Sequence, residues 1–164
     1  MAELVLLIPI ALLLAVSIPL AVTDFKEHRL PNKYTYPLIA VTALTLLGFG
    51  MYSGEMERLT SSLLAMVATF FIGWLLARFA DLGMGDVKLL IPLNGWLAWH
   101  DVWLVVISLA LAMLTANVFA IAIWIKKKDP KEHIALGPFL LLGFYLTAFM
   151  PSWRILTAVG ESLA

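Results

Sequence analysis

Long apolar runs alternate with short polar intervals along this chain. Six runs are nearly free of charge: Leu4–Val22, Tyr36–Met51, Leu59–Phe79, Leu89–Trp99, Val102–Ile125 and Ile134–Met150. A helix needs about 20 apolar residues to cross the hydrocarbon, and fewer where the bilayer thins. The pattern therefore predicts an all-α, polytopic membrane protein with six transmembrane helices. The fourth run is short and contains Pro92, Asn94 and Gly95. Yet residues 89–125 are too long for one helix, and His100-Asp101 break them in the middle. Two helices joined by a tight turn are expected there. Pro9, Pro19, Pro92 and Pro138 read as kinks or helix starts.

The polar intervals set the expected topology. Lys26, Arg29 and Lys33 fall in the first. Arg78 and Lys88 flank or belong to 80–88. Lys126, Lys127, Lys128 and Lys131 fall in 126–133. These are nine of the eleven basic residues, and only Arg58 and Arg154 fall on the other side. Basic loops stay in the cytoplasm, so both termini are expected outside. The lysine run is expected to face anionic lipid. Met1-Ala2-Glu3 carries no basic residue, so the first run reads as a span rather than a secretory signal. Trp96, Trp99 and Trp103 flank the expected outer turn, either as interfacial aromatics or as packing residues.

Composition agrees with the pattern. The 164 residues are 62% hydrophobic and 13% charged, against about 45–50% and 25% in soluble domains. So much apolar surface cannot be hidden in a core of this size, and lipid must be the solvent. A single membrane-embedded domain over 1–164 is expected. The formal net charge of zero lacks the basic signature of a nucleic-acid binder. Without cysteine there is no thiol nucleophile, disulfide or thiolate zinc site.

The remaining chemistry narrows by elimination. His28, His100 and His133 do not form an H-E-x-x-H pair. No G-x-S-x-G elbow is present. Glu27, His28, Glu132 and His133 share the expected cytoplasmic face without ligand spacing, so neither metal nor cofactor is expected. What stands out is a pair of aspartates. Asp24 lies in the interval 23–35 and Asp86 in Gly83-Met84-Gly85-Asp86-Val87-Lys88, two expected spans apart. Two crossings return the chain to the same face. Neighbouring carboxylates share a proton. The ionised one activates water, and the protonated one hydrogen-bonds the scissile carbonyl.

The flanking residues have open readings. Gly83 and Gly85 offer unusual backbone angles and close approach of an extended substrate, or mark a plain helix terminus. Lys88 reaches Asp86, lipid phosphate or a substrate carboxylate. Asn32 is placed to cap the second helix after Pro31. Asp81 is a rival acid, more simply read as a solvated or capping charge. Asn94 and Asn117 read as helix–helix glue.

Two motifs, D-x5-L-P-N from Asp24 and G-x-G-D-x-K around Asp86, together with Ile134-Ala135-Leu136-Gly137-Pro138-Phe139, resemble the type IV prepilin peptidase family of aspartic peptidases. The resemblance covers almost the whole chain. It implies Asp24 and Asp86 as the catalytic pair, with Gly83 and Gly85 shaping the loop of the second. It implies supporting roles for Arg29, Pro31, Asn32 and Lys88, and substrate contact for Gly137, Pro138 and Phe139. The implied substrate is a prepilin-like protein with a short basic leader and a hydrophobic helix, cut after a glycine at the cytoplasmic face of a prokaryotic inner membrane. Long members carry an N-terminal region, often with a cysteine-based zinc site, linked to N-methylation. Methylation is not expected here. The short form is similar to peptidases of tight-adherence (Flp-type) pili and to archaeal preflagellin peptidases. Presenilin-type proteases share G-x-G-D but place the first aspartate inside a span beside a tyrosine, whereas Asp24 is expected at a loop edge far from Tyr34 and Tyr36. A small transporter or scaffold would instead need polar residues near mid-bilayer on several spans.

Overall fold

A computed structural model describes residues 2–27, 29–80, 82–127 and 135–149. A 3₁₀ turn (Ala2–Leu7) leads into six helices: α1 (Ile8–Glu27), α2 (Asn32–Ser53), α3 (Met56–Phe79), α4 (Met84–His100), α5 (Val102–Lys127) and α6 (Gly137–Phe149). Among the described residues there is no strand. Within the described residues each expected run lies mainly on helix, the last of them from Gly137 onward. Among the described residues four stretches are long and apolar enough to cross a membrane: Leu4–Glu27, Asn32–Ser53, Met56–Phe79 and Val102–Ala122. The other two helices are shorter, 17 residues for α4 and 13 for α6.

The helices outrun the apolar patterns. α1 continues through Asp24 and Lys26, and α4 begins before Asp86 and Lys88. Hydropathy marks where side chains stop preferring lipid. A helix continues as long as its backbone bonds close within it. The intervals expected to be loops are therefore only a few residues long on either side of the two aspartates.

Local chemistry explains the remaining boundaries. Pro31 is extended (φ −66°, ψ 131°), and its carbonyl accepts from the N–H of Tyr34 at 3.1 Å to open α2. α2 stops at Gly54, whose positive φ of 74° brings its N–H to the Gly50 carbonyl at 3.0 Å, a left-handed cap that glycine adopts without strain. Between α4 and α5 stands Asp101, which accepts the Trp103 N–H at 2.8 Å. The expected tight turn is thus a one-residue break closed by a capping carboxylate.

α4 is the axis of the bundle. Its Leu89, Leu93 and Leu97 pack in one core with Leu13, Leu20, Leu38 and Phe144, while Ile91 and Trp99 pack in a second with Leu46 and Phe49. Surrounded in this way, α4 presents little surface to lipid, which explains why its apolar run is short. It approaches α3 closely, because a Cβ on Gly73 would lie 2.5 Å from Cγ1 of Val87. Trp96 donates to the Leu6 carbonyl at 2.9 Å and stacks edge-on against Phe144, and Trp99 meets Phe49 likewise. Both are packing residues, whereas Trp103 is exposed. Asn94 Nδ2 donates to Thr69 Oγ1 at 2.9 Å and joins α4 to α3. Asn117 instead donates to the Met113 carbonyl one turn back on its own helix, so it is not interhelical glue.

Candidate active site

The end of α1 meets the starts of α2, α4 and α6 at one end of the bundle. Asp24 sits in the last turn of α1 and is only 4% exposed. A carboxylate so far from water needs hydrogen-bond donors. One comes from the far end of the chain: the Gly137 N–H donates to Asp24 Oδ2 at 2.8 Å. Gly137 opens α6, so this amide is one of the donors a helix leaves unpaired at its start. The helix dipole favours an anion there. A Cβ at position 137 would lie 2.7 Å from the same oxygen, so the approach requires glycine. Pro138 follows in the first turn of α6, where a missing N–H is harmless.

Asp86 lies in the first turn of α4, ahead of the apolar run that begins at Leu89. Its half-buried side chain turns back over Gly83, where a Cβ would sit 2.8 Å from Asp86 Oδ2. Burial first, and the negative charge of Asp24 second, push the Asp86 pKa up to about 7. The two carboxylates therefore feel each other, and Asp86 stays protonated to higher pH than an ordinary carboxyl group.

Both motifs line one cavity of about 320 Å³, bordered by Asp24, Asp86, Arg29, Asn32, Gly83 and Lys88. Of the two readings of the glycines, the helix terminus is the one observed. Gly83 is extended (φ −62°, ψ 128°) and Gly85 is helical, so neither uses angles special to glycine. What they supply is space. A Cβ on Gly85 would approach the Leu30 backbone nitrogen to 3.2 Å, so the first turn of α4 lies directly on the turn between α1 and α2. The second aspartate is thus carried by a helix start rather than a shaped loop.

Of the partners expected of it, Lys88 does not take Asp86. Its Nζ donates to Asn32 Oδ1 at 2.8 Å and lies 4.9 Å above the Tyr36 ring. Asn32 is the first residue of α2, and no side chain caps that helix, so the expected Asn32 cap is replaced by this bond to Lys88. The lysine ties the start of α4 to the start of α2 at the wall of the cavity. Phe139 packs on Phe119 with ring centroids 5.2 Å apart, and neither Pro138 nor Phe139 lines the cavity. The sequence pattern includes Leu30 in the D-x5-L-P-N motif without giving it a role, and it gives Tyr36 no role at the site. It also casts Gly137 as a substrate contact, where the structure sets its amide on Asp24. The Gly-Pro pair at a helix start is the available signal. Asp81, His28, Lys128, Lys131, Glu132, His133 and Arg154 lie outside the described residues. Among the described residues no three histidines or carboxylates gather as a metal site would need.

Residues 11–125 match the model of the type IV leader peptidase family. The chain is 31% identical over 141 residues to a prepilin leader peptidase/N-methyltransferase of Pectobacterium carotovorum subsp. carotovorum, covering 80% of this chain and 47% of that protein. A protein of the same description from Escherichia coli (strain K12) is 27% identical, covering 82% of this chain and 59% of its own length. One from Burkholderia pseudomallei (strain 1026b) is 28% identical, over 84% and 44%. The chain spans about half the length of these relatives. No solved structure matches it significantly.

Proposed function

The chain belongs to the type IV leader peptidase family, and on that premise we propose that it is an aspartic endopeptidase. Its substrate is a prepilin-like precursor, whose short basic leader it removes at the cytoplasmic face of a bacterial inner membrane. The observation that carries this reading is the meeting of Asp24 and Asp86 at one cavity, close enough for the charge of one to raise the pKa of the other.

The two environments suggest the division of labour. Asp24 is the ionised member, supported by the Gly137 amide at the start of α6. Asp86 holds the shared proton. Asp24 takes a proton from water as the water oxygen attacks the scissile carbonyl carbon. Asp86 donates a hydrogen bond to the carbonyl oxygen as negative charge grows on it. The tetrahedral intermediate then collapses, the C–N bond breaks, and the departing amine takes up the proton held by Asp24. Lys88 and Asn32 act by holding α4 and α2 in register around the pair. None of these steps calls on a metal or cofactor.

Asp24 lies inside a helix, so loop position no longer separates this chain from presenilin-type proteases. The family match does. The transporter or scaffold reading loses Asn117, which bonds only to its own helix.

The pH profile tests the mechanism. With Asp86 titrating at about 7, the purified enzyme has an alkaline limb in kcat/KM near that pH. Above it both carboxylates ionise, no donor remains for the carbonyl oxygen, and the rate falls roughly tenfold per pH unit. A profile flat to about pH 9 would remove the proton from Asp86. Orientation is tested separately. A cysteine in place of Lys33, beside the cavity end of α2, should react with an impermeant reagent from the cytoplasmic side alone. Reaction from outside would invert the topology.

A further inference from the structure

α3 and α5 both pack on α4, yet they make little contact with each other. Between them runs an apolar groove of about 380 Å³. Ala68 and Ile72 of α3 and Val106 and Met113 of α5 form its walls, and Leu90 and Asn94 of α4 form its floor. Along α3 it extends from Ala65 to Leu76, which at about 1.5 Å per residue is roughly three helical turns. Its lower end reaches Leu82 and Leu136. These are the chain neighbours of Gly83 and Gly137, the two glycines packed on Asp86 and Asp24. The groove therefore opens onto the end of the bundle where the aspartates lie.

We infer that this groove docks the hydrophobic helix of the substrate and delivers its leading end to the aspartates. The inference rests on the endopeptidase reading and adds a recognition surface to it. Two features favour a helix over a lipid chain. Ala65, Ala68 and Thr69 give the α3 wall a small-residue surface that admits the backbone of another helix. The groove runs along the bundle and ends beside the chain neighbours of Gly83 and Gly137, at the aspartates, as a substrate cut just before its membrane helix requires. The docked helix runs antiparallel to α3 and α5, with its N-terminal end at the aspartates. From there the segment before it enters the cavity lined by Asp24 and Asp86.

The test uses a model substrate with a basic leader ending in glycine and a hydrophobic helix of about 20 residues. A photo-crosslinking amino acid replaces Ala68, Val106 or, as control, Leu44, which is 69% exposed on α2 away from the groove. Asp86→Asn in the same chain traps uncut substrate. Positions 68 and 106 should form substrate adducts about tenfold more than position 44. In the wild-type background, Ala68→Trp should slow cleavage of the full substrate about tenfold and leave cleavage of a leader peptide lacking the helix unchanged. Adducts to a second copy of this chain, no protein adduct, equal adducts at position 44, or equal loss on both substrates would each overturn the groove assignment. Unaltered cleavage of the full substrate by Ala68→Trp would do so as well. In all these cases wild-type cleavage of the full substrate leaves the peptidase reading standing. Absence of that cleavage brings down the peptidase reading itself, and the groove assignment with it.

Discussion

Asp24→Asn and Asp86→Asn each lower leader cleavage by at least about 10³-fold while the chain still inserts and folds. An amide at position 24 cannot take a proton from water. An amide at position 86 is a far weaker acid than a carboxyl group, so it donates a weaker hydrogen bond to the growing oxyanion and cannot share a proton with Asp24. The two variants part company in stability. Asp86 has a carboxyl pKa raised from 3.8 to about 7 in the folded protein. A group raised in this way gives its full contribution to stability below pH 3.8, and that contribution is lost as pH rises through about 7. Above that range the fold must hold a second negative charge beside Asp24. The amide introduced by Asp86→Asn carries no such charge. At about pH 8 this inactive variant therefore melts higher than wild type, and the difference shrinks towards about pH 4. Asp24→Asn removes the repelling neighbour instead, and so lowers the pKa of Asp86. Cleavage of a co-expressed prepilin-like substrate and thermal unfolding in detergent at both pH values check these outcomes. Near wild-type cleavage by either variant sinks the aspartate pair. A melting temperature of Asp86→Asn that does not exceed wild type at high pH removes the charge conflict.

Gly137→Ala has the next largest effect, about a 10²-fold loss in kcat, the size expected when a reacting group is displaced by about 1 Å. The added methyl would lie 2.7 Å from Asp24 Oδ2 and 3.2 Å from Leu30 Cδ2. Asp24 is buried at the end of α1 and cannot swing into solvent, so either the carboxylate or the start of α6 must move. The amide hydrogen bond is lengthened in either case. Loss appears in kcat more than in KM, because the displaced group is the reacting carboxylate, while the groove is disturbed only at its Leu136 end. Gly48→Ala is the matched control, since nothing lies within 4 Å of a Cβ there. Equal activity of Gly137→Ala and Gly48→Ala would show that the Gly137 contact does not position Asp24.

Part of the site is legible in the amino-acid sequence. Asp24 and Asp86 emerge from elimination of other nucleophiles, and their shared end follows from counting apolar runs and basic residues. Other features are not legible there, for a consistent reason. Asn32 looks like a helix cap because it follows Pro31 at the start of a run, but capping depends on where its side chain turns, and Lys88 of another helix decides that. Gly83 and Gly85 read equally as a loop of unusual angles and as a plain helix terminus, because glycine permits both. Their backbone is ordinary, and their lack of a side chain matters only because Asp86 and Leu30 come close. The last turn of α1 and the first of α4 look like loops because they carry charge. Charge ends only the preference for lipid, not the helix.

The sequence by itself determined that this protein is helical, that it lives in a membrane, and which acids are available for chemistry. Each of those follows from transfer of individual side chains between water and lipid, a local property that adds up along the chain. Only the tertiary structure decided that Gly137 meets Asp24 across 113 residues, that Lys88 holds Asn32, and that α4 is sheathed rather than lipid-facing. Those are matters of which helix faces which. In a chain whose helices are apolar all round, hydropathy leaves that choice open, and close packing at small residues with a few buried polar contacts settles it.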